Sequence, residues 1–100
     1  MPILVAGTVR VPPANLAALK SHMTAMLSET RKEDGCIDYS FAEEAGEAGV
    51  LRIFEIWRDE AALKAHFKSP HMAVWRAAGE ELGVGDRKLS IYEIASSRPL

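Results

Sequence analysis

The run Ile3-Leu4-Val5-Ala6-Gly7-Thr8-Val9-Arg10-Val11 constrains the fold more than any other part of the chain. It is rich in β-branched residues, apolar at odd and even positions alike, and stopped by Pro12-Pro13. A strand with one wet face alternates apolar and polar residues, whereas one that is apolar on both parities belongs in a sheet covered on both sides. The 100 residues suffice for about one domain and one core.

The rest of the chain supplies one cover. Pro13 suits the first turn of a helix, and Leu16, Leu19, Met23, Met26, Leu27 and Thr30 recur at spacings of three and four. This predicts a helix over 13–32, stopped by Gly35. Residues 36–43 read as a second strand with Ile37, Tyr39 and Phe41 on one face. The glycine-punctuated turn Glu44-Ala45-Gly46-Glu47-Ala48-Gly49 then leads to a third strand over 50–57, so the two strands form an antiparallel hairpin. Asp59 can cap the next helix, which carries Ala62, Leu63, His66 and Phe67 on one side. Ser69-Pro70 breaks it, and 71–82 resumes helically with His71, Trp75, Ala78 and Leu82 in line. A loop at 83–86 and a strand over 88–95 complete a single domain, structured over about 3–95 within 1–100, with 96–100 as a tail.

The order β-α-β-β-α-β is that of split βαβ units, an α+β fold with a four-stranded antiparallel sheet and both helices on one face. The opposite face then carries one parity of four largely apolar strands. A second copy of the same sheet is the economical cover, which predicts a homodimer packed sheet to sheet.

Composition narrows the class of partner. Twelve Lys and Arg against 14 Asp and Glu give a formal charge of −2, unlike the basic stripe of a nucleic-acid binder. No apolar run approaches the ~20 residues of a membrane span, and Met1-Pro2-Ile3 does not resemble a basic n-region, so a cytoplasmic location is expected. Cys36 is the single cysteine, which excludes an intramolecular disulfide and a multi-cysteine zinc site; it reads as a small buried hydrophobe.

Two features stand out as chemistry. Glu55 shares a strand face with Leu51, Ile53 and Trp57, so it must either pair with a base such as Arg52 or take up a proton as burial raises its pKa. His66 and His71 lie on the apolar sides of their helical segments. Each alone reads as a core imidazole; together, near Trp57 and Trp75, they point to a pocket. Their five-residue spacing is not the i, i+4 spacing of two ligands on one helix, and no third ligand is placed by the sequence, so no metal is expected. The acid-rich 29–34 segment and Glu80-Glu81 read as solvated faces.

Glu33-Asp34-Gly35-Cys36-Ile37-Asp38-Tyr39, then Glu55-Ile56-Trp57, then Leu63 to Met72 with His66, Ser69, Pro70 and His71, together resemble the antibiotic biosynthesis monooxygenase family, and its small quinol monooxygenase branch in particular. The resemblance runs from Ile3 to Ala95. It implies a dimeric α+β barrel of two ferredoxin-like protomers. It also implies oxygenation of a small quinol or polycyclic phenol by O₂ without flavin, haem or metal. By position it makes His66 the base or hydrogen-bond partner, with His71 as a further polar contact and Glu55 as an orienting group for an imidazole. Tyr39, Trp57, Trp75 and Thr8 become substrate contacts. The haem-degrading branch has Asn, Trp and His where this chain has Thr8, His66 and Arg76, which argues against haem degradation. Another branch isomerises a phosphorylated signal metabolite with the same motifs. An isomerase or tautomerase therefore stays open, as does a dimer that only binds small molecules. A phosphorylated substrate would require Arg52 or Arg76 to point into the pocket.

Overall fold

A computed structural model describes residues 1–100. Four strands, β1 (Ile3–Arg10), β2 (Cys36–Glu43), β3 (Val50–Trp57) and β4 (Gly85–Glu93), form one antiparallel sheet in the order β2-β3-β1-β4. That order places the apolar N-terminal strand at the centre, as its lack of alternation requires. Three α-helices follow: α1 (Leu16–Thr30), α2 (Glu60–Phe67) and α3 (Pro70–Leu82), with a 3₁₀ turn at Pro13–Asn15 ahead of the first. The architecture is the ferredoxin-like α+β fold, with an open sheet in the single chain.

One sheet face is the core. Ile3, Val5, Val9, Leu51, Ile53, Tyr39 and Trp57 pack with Leu19, Met23 and Met26 of α1 and with Ala62, Leu63 and Trp75 of the later helices. Burying each large apolar side chain there contributes roughly 1.5–3 kcal/mol. On the other face Leu4 is paired with Ile56 and Tyr92, and Ala6 with Phe54. No helix covers them, and Phe54 and Tyr92 are exposed.

Three local readings change. The single broken helix is two helices, because Ser69 caps α3 by accepting from Met72 N while its hydroxyl donates to the His66 carbonyl, and Pro70 fills the first turn. The last strand begins at Gly85 rather than 88. Ile37 does not share a face with Tyr39 and Phe41. The register shifts between Cys36 and Asp38, so Ile37 is the extra residue of a bulge and is exposed.

Two rungs of the sheet position the site. Tyr39, Glu55, Val5 and Ile91 stand side by side across β2, β3, β1 and β4; the next rung is Phe41, Ile53, Gly7 and Leu89. Gly7 has φ +151°, and a Cβ there would run into the carbonyl of Lys88. The bare backbone at Gly7 lets β1 and β4 approach closely in the middle of an otherwise bulky floor.

Candidate functional site

The two rungs floor a cavity of about 470 Å³ between the sheet and the second and third helices. That volume suits a bicyclic ligand. Its depth is formed by buried Tyr39, Ile53, Glu55, His66 and Trp75. Its mouth is marked by lining residues that are exposed: Phe67, Arg76, Arg87, Leu89 and Ile91. The mouth lies over β4 because this edge strand has no helix above its inner face, which leaves Ile91 55% exposed. Phe41 and Trp75 stack inside, with ring centroids 5.3 Å apart and planes 20° from parallel.

His66 is the most deeply buried polar group of this wall, 1% exposed. Its ring lies 4.8 Å from Trp57, 5.4 Å from Tyr39 and 6.1 Å from Phe67. Nδ1 is 2.6 Å from Oε2 of Glu33, and the same oxygen is 2.8 Å from Nε2 of His71. One carboxylate thus accepts from two imidazoles. The contact assigns the proton of His66 to Nδ1 and leaves Nε2 as the atom able to accept another. Burial holds the imidazole below its ordinary 6.5, aided by the charges of His71 and Arg76 and opposed by Glu33.

Glu33, expected on a solvated face, is instead the group that orients His66. Two local features bring it in. The turn after α1 is closed by Glu33 N to Thr30 O and Cys36 N to Glu33 O. Gly35, at φ +85°, lies so close to α2 that an added Cβ would meet Ala62 Cβ at 2.6 Å. Ala62 is one helical turn before His66, so this close approach sets the carboxylate beside the imidazole. The sequence signal was Glu33's place two residues before a glycine in the E-x-G-C-x-x-Y pattern.

Glu55 lies in the cavity but does not orient an imidazole, and it has no partnership with Arg52. Its Oε1 accepts from Trp57 Nε1 at 2.9 Å, while Arg52 pairs with Glu44. Burial pushes the Glu55 carboxyl up to about 7, against the pull of the Trp57 bond. Burial also pushes the Tyr39 hydroxyl up, with the Glu55 charge adding to it, so Tyr39 stays a neutral phenol.

The remaining expected residues divide. Tyr39 and Trp75 line the cavity. Trp57 is fully buried behind it and acts on Glu55 rather than on the open space. His71 is linked to the cavity only through Glu33 and His66 and itself lines a smaller hollow with His22, Met26 and Trp75. Thr8 is misplaced: it pairs with Arg52 and Lys88, and strand alternation puts it on the face opposite the cavity. No sequence pattern marks Arg87, because only the register of the last strand places it at the mouth. Cys36 is half-buried, and burial raises its thiol pKa.

Glu33, His66 and His71 also form the one group of ligand-type side chains, their atoms within 4.8 Å of one another. Two imidazoles and a carboxylate are a donor set that iron or zinc can use. Here the carboxylate oxygen meets both nitrogens at hydrogen-bond distances, shorter than the ~3 Å between neighbouring donors around an ion with bonds of about 2.1 Å.

The fold and this wall define a class: a small α+β protein whose sheet and helices enclose an apolar pocket with a carboxylate-oriented histidine. The chain belongs to the antibiotic biosynthesis monooxygenase family, whose model matches residues 2–78. It is 38% identical to the Mycobacterium tuberculosis protein named "Putative monooxygenase Rv0793", over 81% of this chain and 79% of that one. It is 30% identical to the Bacillus subtilis protein named "Putative monooxygenase YcnE", over 80% and 84% of the two chains. The crystal structure titled as a putative antibiotic biosynthesis monooxygenase of Deinococcus radiodurans superposes with a TM-score of 0.88 at 27% identity, covering 100% of this chain and 98% of that one.

Proposed function

We propose that the protein is a cofactor-independent monooxygenase of a small quinol or polycyclic phenol, with His66 as the general base. The observation that carries this reading is the Glu33–His66 contact on the wall of an apolar cavity. A hydroquinone is inert toward O₂ until it loses a proton, after which the anion can give up an electron directly. Neutral His66, its Nδ1–H held by Glu33, can take that proton on Nε2. Phe41 and Trp75 would hold the ring flat, and protonated Glu55 would donate to an oxyanion in the cavity. In the balanced reaction one oxygen atom enters the ring and the other leaves as water, and all four electrons come from the substrate.

The reading includes a second copy of the chain. The bare outer face around Leu4, Ala6, Phe54, Ile56 and Tyr92 supports a homodimer closed into an α+β barrel. A cytoplasmic setting completes it; no helix is long and apolar enough to cross a membrane.

The test is O₂ uptake on adding menadiol or an anthrone. Protein-dependent uptake that falls in His66→Ala supports the proposal, and no uptake across a quinol panel sinks it. One observation favours a second reading, an isomerase with His66 as proton shuttle: Arg76 lines the cavity, as a phosphorylated substrate would need. Exchange of substrate protons with solvent at no cost in O₂ would select it.

A further inference from the structure

Two cations stand at the mouth of this cavity with no anion to meet them. Arg76, on α3, donates to the carbonyl of Phe67 at 2.8 Å, and no carboxylate lies within 4.0 Å of it or of Arg87, on β4. Three other arginines of the folded domain meet carboxylates: Arg10 with Glu47 and Asp86, Arg52 with Glu44, and Arg58 with Asp34 and Asp59. Arg31 donates twice to the Tyr39 carbonyl.

The rest of the lining makes the imbalance sharper. Glu55 is the single carboxylate of the cavity wall, and burial keeps it about half protonated at neutral pH. The Arg76 charge is felt inside, since it is among the causes that hold His66 low. A chain of net charge −2 therefore presents a positive opening to an apolar slot. Clefts of one sign with low-dielectric walls concentrate ligands of the other sign.

We infer that the ligand is a planar ring bearing an anionic substituent, whose charged group docks between Arg76 and Arg87 while the ring lies against Trp75. Guanidinium groups bind carboxylates and phosphates through paired hydrogen bonds, which gives orientation as well as affinity. With the anion held at the mouth, the far edge of the ring points toward His66. The inference rests on the proposed function only for what happens at that far edge; the clamp itself is a matter of binding.

Calorimetric titration with three stable probes separates the two. These are 1-hydroxy-2-naphthoate, its neutral methyl ester, and 1-naphthyl phosphate. The acid is expected to bind at least about tenfold more tightly than the ester at low salt, a difference of about 1.4 kcal/mol. Arg76→Gln/Arg87→Gln should bring acid and ester within about twofold while leaving ester affinity unchanged. The Lys/Lys double variant should recover part of the preference. Both positions are exposed, and unchanged ester binding shows that the pocket is intact. Tighter binding of the phosphate than of the acid keeps the clamp and assigns it a phosphorylated ligand. Equal affinity of acid and ester in the wild type, or a preference that survives the Gln/Gln variant, overturns the clamp. His66→Ala should keep the preference; if it does while the wild type consumes no O₂, the oxygenase reading alone is lost.

Discussion

Oε2 of Glu33 lies 2.6 Å from Nδ1 of His66, joining residues 33 apart in the chain beside the rings of Tyr39, Trp57 and Phe67. A carboxylate in this position fixes the tautomer and stabilises the imidazolium formed when Nε2 takes a proton. Its loss should therefore change both the rate and its pH dependence.

With His66 as the proposed base, turnover of menadiol should rise with pH along a limb centred below 6.5, since burial lowers the pKa of this imidazole and only its neutral form takes a proton. His66→Ala should cost about 10²–10⁴-fold in rate. Glu33 pulls the His66 pKa upward, so Glu33→Gln should move the limb to lower pH and lower the plateau by about tenfold or more. An oxygen-electrode pH profile decides it; a limb that stays in place would separate Glu33 from His66.

Stability should respond to Glu55 in the opposite sense to an ordinary acid. Its folded pKa, about 7, exceeds the usual 4.5, so the folded state holds the proton longer than the unfolded chain. Stability is fully present below 4.5 and declines as pH rises toward 7, by up to about 3 kcal/mol. His66 acts with the other sign, withdrawing stability as pH falls below 6.5. In urea unfolding at pH 5 and pH 8, Glu55→Gln should remove the decline toward high pH. A variant with the wild-type pH profile would contradict a buried, proton-holding Glu55.

Gly7→Ala should lower the melting temperature by roughly 10 °C or more, since the new methyl meets the Lys88 backbone and the residue keeps φ +151°. Gly46 also has positive φ, but its Cβ would meet open space, so Gly46→Ala should cost only about 1 kcal/mol. Calorimetric scans of the two variants compare a steric cost with a conformational one. Equal losses would mean that the close approach of Gly7 to the Lys88 backbone is not enforced.

Light scattering should give twice the 11.0 kDa chain mass at micromolar concentration, and Phe54→Glu, on the bare outer face, should halve it. A wild-type mass of 11.0 kDa would refute the sheet-to-sheet dimer.

Chelator treatment should leave menadiol oxidation unchanged, because Glu33, His66 and His71 satisfy one another through hydrogen bonds. A loss of activity restored by Fe²⁺ or Zn²⁺ would reassign that cluster to metal chemistry.

By itself the sequence determined the elements, their order and which faces are apolar. Strand and helix follow from local periodicity, and caps such as Asp59 and Ser69, and the helix start at Pro70, act within a few residues. The family pattern marked His66, Tyr39 and Trp75 as residues of a site. What only the tertiary structure decided is which polar groups meet. The bulge at Ile37 turned that residue outward and kept Tyr39 and Phe41 facing inward. The close approach of Gly35 to Ala62 turned Glu33 from a solvated acid into the partner of His66, and the strand register sent Thr8 to the far face and Arg87 to the mouth. Periodicity tells a side chain whether to face in or out. The hydrogen bonds and charges of a site depend on contacts between residues 30 or more apart in the chain, as with Glu33 and both histidines, and those are set only when the layers pack.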